Sequence, residues 1–289
     1  MSLSIFTSAS SMASTNALNK SNSMLSTAME RLGTGKRINS AADDAAGMQI
    51  ASRLQGQSNG MAVAQRNISD ATAMLQTAEG AFDEVSNIMY RMKDLATQAA
   101  NDTNTTKDRD AINDELTELQ SELDNIMTNT SFGGEKLFGA SGIGKLSAPM
   151  NFQIGASADE KMTVDLSKKL GETTNAIDDV KTLLTGSGST GAVGSAESAQ
   201  NLITNLETSL ESVGTIRSGL GANINRLGHT AANLANMKDN TELALGNVQD
   251  ADFASEASSM TRNQMLAQTS MSMLKQSNSM SGMVMSLLG

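Results

Sequence analysis

The sequence predicts a mainly α fold, a long coiled-coil helical bundle formed by the N- and C-terminal halves, with a small β-hairpin region at the mid-chain tip. Two apolar ladders, one in each half of the 289-residue chain, repeat at alternating steps of three and four residues. This spacing is typical of helices that supercoil left-handedly against partners. Near mid-chain the apolar residues alternate with period two, as in a hairpin. Because most of the sequence separates the ladders, we expect the two ends to fold together into a rod.

The composition excludes several classes of protein. With 20 Met, six Phe, one Tyr and no Trp, the core is expected to consist of thin helix–helix seams, and a single Pro suits long helices. The formal net charge of −10 argues against nucleic-acid binding. The absence of Cys excludes disulfides and thiol chemistry. The N-terminus lacks the pattern of a cleaved secretory signal, and no run of about 20 apolar residues predicts membrane insertion.

The N-terminal half begins with a weak ladder and continues with a strong one. Residues 1–32 are rich in Ser, Asn and Met, and their apolar positions are too few to offset the entropy cost of ordering an isolated helix. After a glycine-containing break in the heptad frame, Ser40–Asp43 predicts a capping box that opens the long helix, with Asp43 and Asp44 in its first turn. We therefore expect the first 32 residues to be disordered in a free monomer and helical only when packed.

The strong ladder of the N-terminal half ends at a chain reversal. The turn Asn101–Thr106 follows it, and a shorter helix then places apolar residues from Ile112 to Ile126 on one face. The C-terminal half carries the second strong ladder, and a thinner one continues from Ala257 after a shift in the heptad frame. The predicted core positions of the two strong ladders are Ile68, Leu75, Phe82, Met89, Leu206, Val213, Leu220, Leu227 and Leu234.

The middle of the chain has the signals of strands and turns. Between residues 131 and 170, alternating apolar residues flank a polar turn at Gly155–Lys161, which predicts a β-hairpin. Asn175–Leu184 predicts one short helix. A Gly/Ser-rich stretch within residues 185–195 is typical of a flexible, solvent-exposed linker.

One segment carries a family resemblance that periodicity alone does not supply. Residues 32–47 read LGTGKRINSAADDAAG and resemble the N-terminal signature of bacterial flagellins. The closing Ser286–Leu288 resembles the flagellin C-terminus. Together the matching regions cover about residues 1–140 and 195–289. Further matching segments are Arg66-Asn67, Gln76–Gly80 (QTAEG), Arg91–Leu95 (RMKDL) and Asp250–Glu256 (DADFASE).

The resemblance implies an extracellular filament subunit of the bacterial flagellum, which serves swimming or swarming motility. Such a subunit is exported unfolded by the type III apparatus with an export chaperone. It then polymerises as a helical homopolymer under a filament cap, next to hook-associated junction proteins. The resemblance also implies a short flagellin with D0 and D1 domains only, in which the disordered termini pair as the D0 coiled coil and the strong ladders with the hairpin form D1.

The implied domain boundaries follow the breaks in the heptad frame. Residues 1–40 form the N-terminal D0 helix and its connecting spoke, 41–250 form D1, and 251–289 form the C-terminal D0 helix. The thin ladders are then expected to supply the seam between subunits. The positions expected in this D0 seam are Leu18, Leu25, Leu32, Met260, Met271, Leu274 and Leu288.

No group of residues predicts catalysis, a cofactor or a metal site. His229 is the only histidine and has no carboxylate three or four residues away, so a surface or seam position is favoured over a metal ligand. The Gly-rich stretch at 186–191 lacks the Gly-Lys-Ser/Thr ending of a phosphate-binding loop. Asp43 and Asp44 are adjacent in a predicted helix, point about 100° apart and cannot share a proton. We therefore expect the protein not to be an enzyme.

Arg91, Leu95 and Glu115 are the residues for which the resemblance implies a binding role. Arg91 and Leu95 lie four residues apart on one helix face, beside the seam, and Glu115 falls on the shorter antiparallel helix. They match the flagellin positions that the vertebrate Toll-like receptor for flagellin contacts. The other interpretation is a solvated face that makes subunit contacts in the filament.

Two alternatives to a filament subunit are open to test. A hook–filament junction protein shares the terminal architecture but forms a short ring, and the heptad match and the QTAEG segment favour flagellin over it. A surface protease carried on a flagellin scaffold would need a His-Glu-x-x-His motif, which a chain with one histidine cannot contain.

Overall fold

The structure, a computed structural model, describes residues 9–139, 144–186 and 193–288, with side chains described up to residue 279. The fold is mainly helical with short strands at mid-chain, which confirms the predicted fold class. The linker prediction at 186–191 falls almost wholly outside the described residues. The elements are α1 (Ala9–Thr34), α2 (Ala45–Ala99), α3 (Thr106–Asn129), β1 (Ser131–Phe132), β2 (Glu135–Lys136), a 3-10 turn (Lys145–Ser147), β3 (Met150–Gln153), β4 (Lys161–Val164), α4 (Ser167–Gly186), α5 (Ala196–Gln249) and α6 (Phe253–Leu288).

The chain divides into two compact units. The terminal unit comprises Met1–Ser58 and Asp239–Gly289, and the central unit comprises Asn59–Lys238. The terminal unit is therefore assembled from two separate segments of the chain, whereas the central unit is one continuous segment.

The core of the central unit lies along α2 and α5, which run antiparallel. Arg217 Nη2 on α5 lies 2.8 Å from Glu79 Oε1 and 2.9 Å from Asp83 Oδ1, and Lys93 on α2 reaches Glu207 at 2.8 Å. The structure buries all nine positions predicted as core, together with Phe138, whose ring centroid lies 4.7 Å from that of Phe82. The nine are Ile68, Leu75, Phe82, Met89, Leu206, Val213, Leu220, Leu227 and Leu234.

Helix α3 folds back on this core as its apolar face predicts. It buries Ile112, Leu116 and Leu123, and its N-terminus carries a capping box in which Thr105 and Asp108 bond each other's backbone N–H. Hydrogen bonds from the Thr105 hydroxyl and backbone hold the pKa of Asp108 below its usual value. The box satisfies amide groups that the first helical turn leaves without partners.

The mid-chain hairpin is present, and the helix after it is longer than predicted. Strands β3 and β4 pair antiparallel, with Phe152 opposite Met162. Helix α4 begins at Ser167, eight residues before the predicted start, because Asp165 Oδ1 accepts hydrogen bonds from the backbone N–H and hydroxyl of Ser167. The inner face of α4 includes Thr173, which is buried with its hydroxyl 3.3 Å from Ser212 O. Because Thr173 is polar, it interrupts the apolar pattern from which the start of α4 is predicted.

The start of α2 also differs from the prediction. Ser40–Asp43 forms a turn before the helix, in which Asp43 Oδ2 accepts from the backbone N–H of Asn39 and of Ser40. These bonds lower the pKa of Asp43. Asp44 is the residue that caps α2, since its Oδ1 accepts from Gly47 N–H at 2.9 Å. The Ser40–Asp43 spacing of a capping box therefore belongs to a turn before α2, and not to the first turn of the helix.

A close approach of the hairpin to α2 gives a first prediction. A Cβ added at Gly60 would lie 2.7 Å from Ala156 Cβ, whereas one added at Gly80 in the same helix meets nothing within 4 Å. We expect Gly80→Ala to stabilise the protein, because alanine favours a helix more than glycine does, and Gly60→Ala to destabilise it through the close contact. The unfolding free energies of the two variants should therefore differ by about 2 kcal/mol. Urea titration measures the gap. A Gly60→Ala/Ala156→Gly double variant controls for the clash, and equal stability of the two single variants contradicts it.

Candidate assembly interface

Helices α1 and α6 pair antiparallel in the terminal unit. Ser10 Oγ lies 3.0 Å from Ser277 Oγ near one end of the pair, and Arg31 donates to Glu256 Oε1 at 3.0 Å near the other. The ion pair is partly shielded from solvent. The pairing of the two chain termini agrees with the expectation that the ends of the protein fold together.

The seam of this pair is narrow and contains small and polar residues. Most of the half-buried and buried positions of α1 follow heptad spacing, and so do most of those of α6. The buried ones are Ser21, Ala28, Asn263 and Ala267, none of them a large apolar residue. The seam positions are Ser14, Leu18, Ser21, Leu25, Ala28 and Leu32 on α1, and Met260, Asn263, Ala267, Ser270, Leu274 and Ser277 on α6.

The residues that the sequence predicts for this seam are placed as follows. Leu18, Leu25, Leu32, Met260 and Leu274 are half-buried between the helices. Met271 is 47% exposed and lies beside the seam, where Ser270 takes the register position. The side chain of Leu288 is outside the described residues. Sequence reasoning missed Ser21, Asn263 and Ser270 because a search for apolar positions skips polar residues, although their heptad phase identifies them.

A short backbone clasp joins the segment that follows α1 to the segment that precedes α6. We use "clasp" for residues 35–37 and 249–251. Arg37 N–H donates to Gln249 O at 2.7 Å and Ala251 N–H donates to Gly35 O at 3.0 Å. Gly35 has φ +72°, a backbone conformation that favours glycine. The clasp uses main-chain atoms, and the Arg37 guanidinium adds a bond to Val248 O at 2.8 Å.

In the central unit, the structure pairs Arg91 with Glu115 on the surface, whereas Leu95 is buried. Arg91 Nη2 and Nε lie 2.6 and 3.0 Å from Glu115 Oε1, and both side chains are about half exposed. The prediction that Leu95 is a receptor contact is wrong for its side chain, because Leu95 is only 3% exposed and belongs to the hydrophobic core. Helix α3 lies next to this part of α2, as the Arg91–Glu115 ion pair shows, and its Ile112 belongs to the same hydrophobic cluster as Leu95.

The remaining candidate groups have no arrangement that supports chemistry. His229 is exposed on α5. Across residues 9–139, 144–186 and 193–288, no three His, Asp or Glu side chains converge as metal ligands. Among the same residues, none of the helices combines the length and hydropathy of a membrane span.

Comparisons with known proteins show which family the chain is similar to. The chain matches the bacterial flagellin N-terminal helical region over residues 5–142 and the C-terminal helical region over 203–288. It is 33% identical to flagellin A of Vibrio anguillarum over the whole of both chains, and 37% identical to a flagellin of Halalkalibacterium halodurans over 90% of both.

A solved structure assigned to a flagellar hook-associated protein of Vibrio parahaemolyticus is similar in fold only. It aligns with 72% of this chain and all of its own, at a TM-score of 0.57 and 16% identity. The full-length relatives above are flagellins, so a hook–filament junction protein is not favoured. The chain belongs to the bacterial flagellin family, whose members are extracellular structural subunits of the flagellar filament and not enzymes.

Proposed function

We propose that the α1–α6 pair is the part of this filament subunit whose folding is coupled to polymerisation. In the free subunit the two helices are unfolded, and they form their antiparallel pair as they pack against neighbouring subunits. On this proposal residues 1–40 and 251–289 form D0, and residues 41–250 form D1. The composition of the seam is the single observation that carries it.

The seams of the two units differ in what they bury. Along α2 and α5 in the central unit, Leu75, Phe82 and Leu220 are completely buried. Along α1 and α6 the buried positions are small or polar, and the leucines between them are only half-buried. Burial of apolar area is what offsets the entropy cost of ordering a helix. The α1–α6 pair gains little of it within one chain, so its stability depends on area buried against other subunits.

The charges of the pair support the same proposal. Helix α1 carries three charged residues in 26, and helix α6 carries three in 36. A helix that faces water on one side normally has a charged outer face. Apart from Lys20, Glu30, Arg262 and Lys275, the exposed residues of these two helices are mostly Ser, Asn, Gln, Thr, Ala and Met, which suit contact with further helices.

Amide exchange by mass spectrometry tests the coupling. In the free subunit we expect fast exchange over α1 and over residues 260–288, and slow exchange over the buried faces of α2 and α5. In the filament, the same α1 and α6 peptides become protected. Helix α3 belongs to the central unit and serves as the internal control, since its protection is expected in both states. Slow exchange of α1 and α6 in the free subunit would refute the coupling.

Family membership supports a set of partners during export and assembly. We propose that an export chaperone delivers the unfolded chain, that a filament cap directs its folding at the tip, and that hook-associated junction proteins receive the first subunits. The filament then acts in swimming or swarming motility.

We also propose that Arg91 and Glu115 form a contact for the vertebrate Toll-like receptor for flagellin. Their ion pair is exposed on neighbouring helices and presents a guanidinium held in a fixed direction. Leu95 acts indirectly, because its burial under α3 positions the α2 turn that carries Arg91.

Receptor activation by monomeric subunits tests this contact. We expect Arg91→Ala to weaken activation about tenfold or more, since truncating an arginine anchor of an interface costs roughly 1–4 kcal/mol. Arg226→Ala, which removes an exposed arginine of α5, is the matched control. Equal activation by both variants would leave Arg91 with only a structural role.

A further inference from the structure

The apolar side chains that α1 and α6 leave exposed are mostly methionines. Among the described residues of the two helices, eight large apolar side chains are exposed, and six of them are Met. The exposed fractions of these six range from 45% to 60%. The six are Met12, Met24, Met29, Met265, Met271 and Met273, and the other two are Phe253 and Leu266.

Four of these methionines flank the seam of the helix pair. Met24 directly precedes the seam residue Leu25 and Met29 follows Ala28, while Met271 follows Ser270 and Met273 precedes Leu274. In heptad terms they occupy e and g positions, which in a solvated two-helix coil carry Glu and Lys. We call Met24, Met29, Met271 and Met273 the flank methionines. Thioethers at e and g widen the apolar face so that it suits further helices.

Because of the composition of the chain, its methionine thioethers are its most readily oxidised groups. It contains no Cys, no Trp, one Tyr and one His. A peroxide oxidises methionine by transferring one oxygen: the S=O bond forms, the O–O bond breaks, the sulfur loses two electrons and hydrogen peroxide becomes water. The product is a polar sulfoxide, which is costly to bury without a hydrogen-bond donor.

We propose that the flank methionines are an oxidation site that controls polymerisation. Peroxide converts them to sulfoxides in the free subunit, where they are exposed, and the oxidised subunit does not add to a filament. Once a subunit is in the filament, its neighbours cover the flank methionines and protect them. The proposal rests on the function proposed above, because it requires the flanks of α1 and α6 to contact other subunits.

Limited oxidation of the full-length subunit tests the site. Free subunits are treated with dilute hydrogen peroxide, the sulfoxides are mapped by peptide mass spectrometry, and elongation of filament seeds is followed by light scattering. We expect the flank methionines to oxidise before the buried Met61, Met89 and Met92, and the critical concentration for elongation to rise about tenfold or more. Reduction by methionine sulfoxide reductase restores elongation, which separates thioether oxidation from irreversible damage.

Two matched variants separate the thioether chemistry from the packing. The first carries Met24→Leu, Met29→Leu, Met271→Leu and Met273→Leu, which keeps the apolar volume and removes the sulfur. Whatever critical concentration this variant has without oxidant, we expect that value to change little after peroxide, whereas the parent's rises. The second carries Gln at the same four positions as a polar mimic of the sulfoxide. We expect it to elongate poorly without any oxidant.

The outcomes distinguish this inference from the proposed function. If the flank methionines are protected in filaments but oxidised subunits elongate normally, the oxidation site is wrong and the assembly interface stands. The same conclusion follows if the Leu variant loses as much elongation to peroxide as the parent. If the flank methionines oxidise as fast in filaments as in free subunits and the Gln variant elongates normally, the flanks are not an interface, and both proposals fail.

Discussion

Deletion of residues 260–289 is expected to abolish filament elongation while the central unit stays folded. The deletion removes most of α6 and with it one side of the α1–α6 seam, including the buried Asn263 and Ala267. Every residue of the large hydrophobic core lies between Met61 and Leu234, so none is lost. Seeded elongation followed by electron microscopy measures the first effect, and thermal unfolding by circular dichroism measures the second. Long filaments from the truncated chain would overturn the proposed role of α6.

A pair of point variants tests the same seam without shortening the chain. Ala267→Asp places a carboxylate at a buried seam position, and Gln268→Asp places one at the exposed neighbour. Burying an unpaired charge is strongly unfavourable, whereas an exposed one has little effect. We expect Ala267→Asp to block elongation and Gln268→Asp to elongate far better. If both variants elongate normally, the seam does not form in the filament.

Phe82→Ala is expected to have the largest effect on the stability of the central unit. Phe82 is completely buried and packs against Phe138 with a 57° tilt between the rings. Removing a buried phenyl ring costs about 3–5 kcal/mol, through lost transfer energy and the cavity left behind. Collapse around the cavity is limited, because Val85, Leu116 and Phe138 in the same cluster are held on three different segments of the chain.

Urea titration of the free subunit measures this loss. Tyr90→Ala is the matched control, since Tyr90 lies on the same helix and is 58% exposed. Its effect is expected to stay within about 0.5 kcal/mol, as for most surface substitutions. A loss for Phe82→Ala no larger than that of the control would mean that the Phe82–Phe138 contact does not stabilise the unit.

The features predicted from the sequence are those that depend on apolar periodicity alone. The strong ladders lead directly to α2 and α5, because a long run of Leu, Phe and Met at heptad positions is stabilised when those side chains are buried in a helix–helix seam. The hairpin follows from period-two alternation in the same way, with Met162 and Val164 buried. Most core positions of the central unit could be predicted from apolar periodicity in this way.

The features that the sequence did not disclose depend on polar atoms or on distant segments. Asp44 and Asp43 are chemically identical, and only the path of the backbone decides which one caps α2. Leu95 becomes a core residue because α3 returns over it, which a pattern within α2 cannot reveal. Ser270 displaces Met271 from the seam of the helix pair since register, and not hydropathy, sets which residue faces α1.

The backbone clasp at residues 35–37 and 249–251 has a consequence for how the chain ends meet. More than 200 residues separate these segments, so a free encounter between α1 and α6 would carry the closure entropy of a very long loop. The main-chain bonds between Arg37 and Gln249 and between Ala251 and Gly35 fix one end of both helices in register. We therefore expect pairing to begin at that end and to reach last the opposite end of the pair, where the hydroxyls of Ser10 and Ser277 lie 3.0 Å apart.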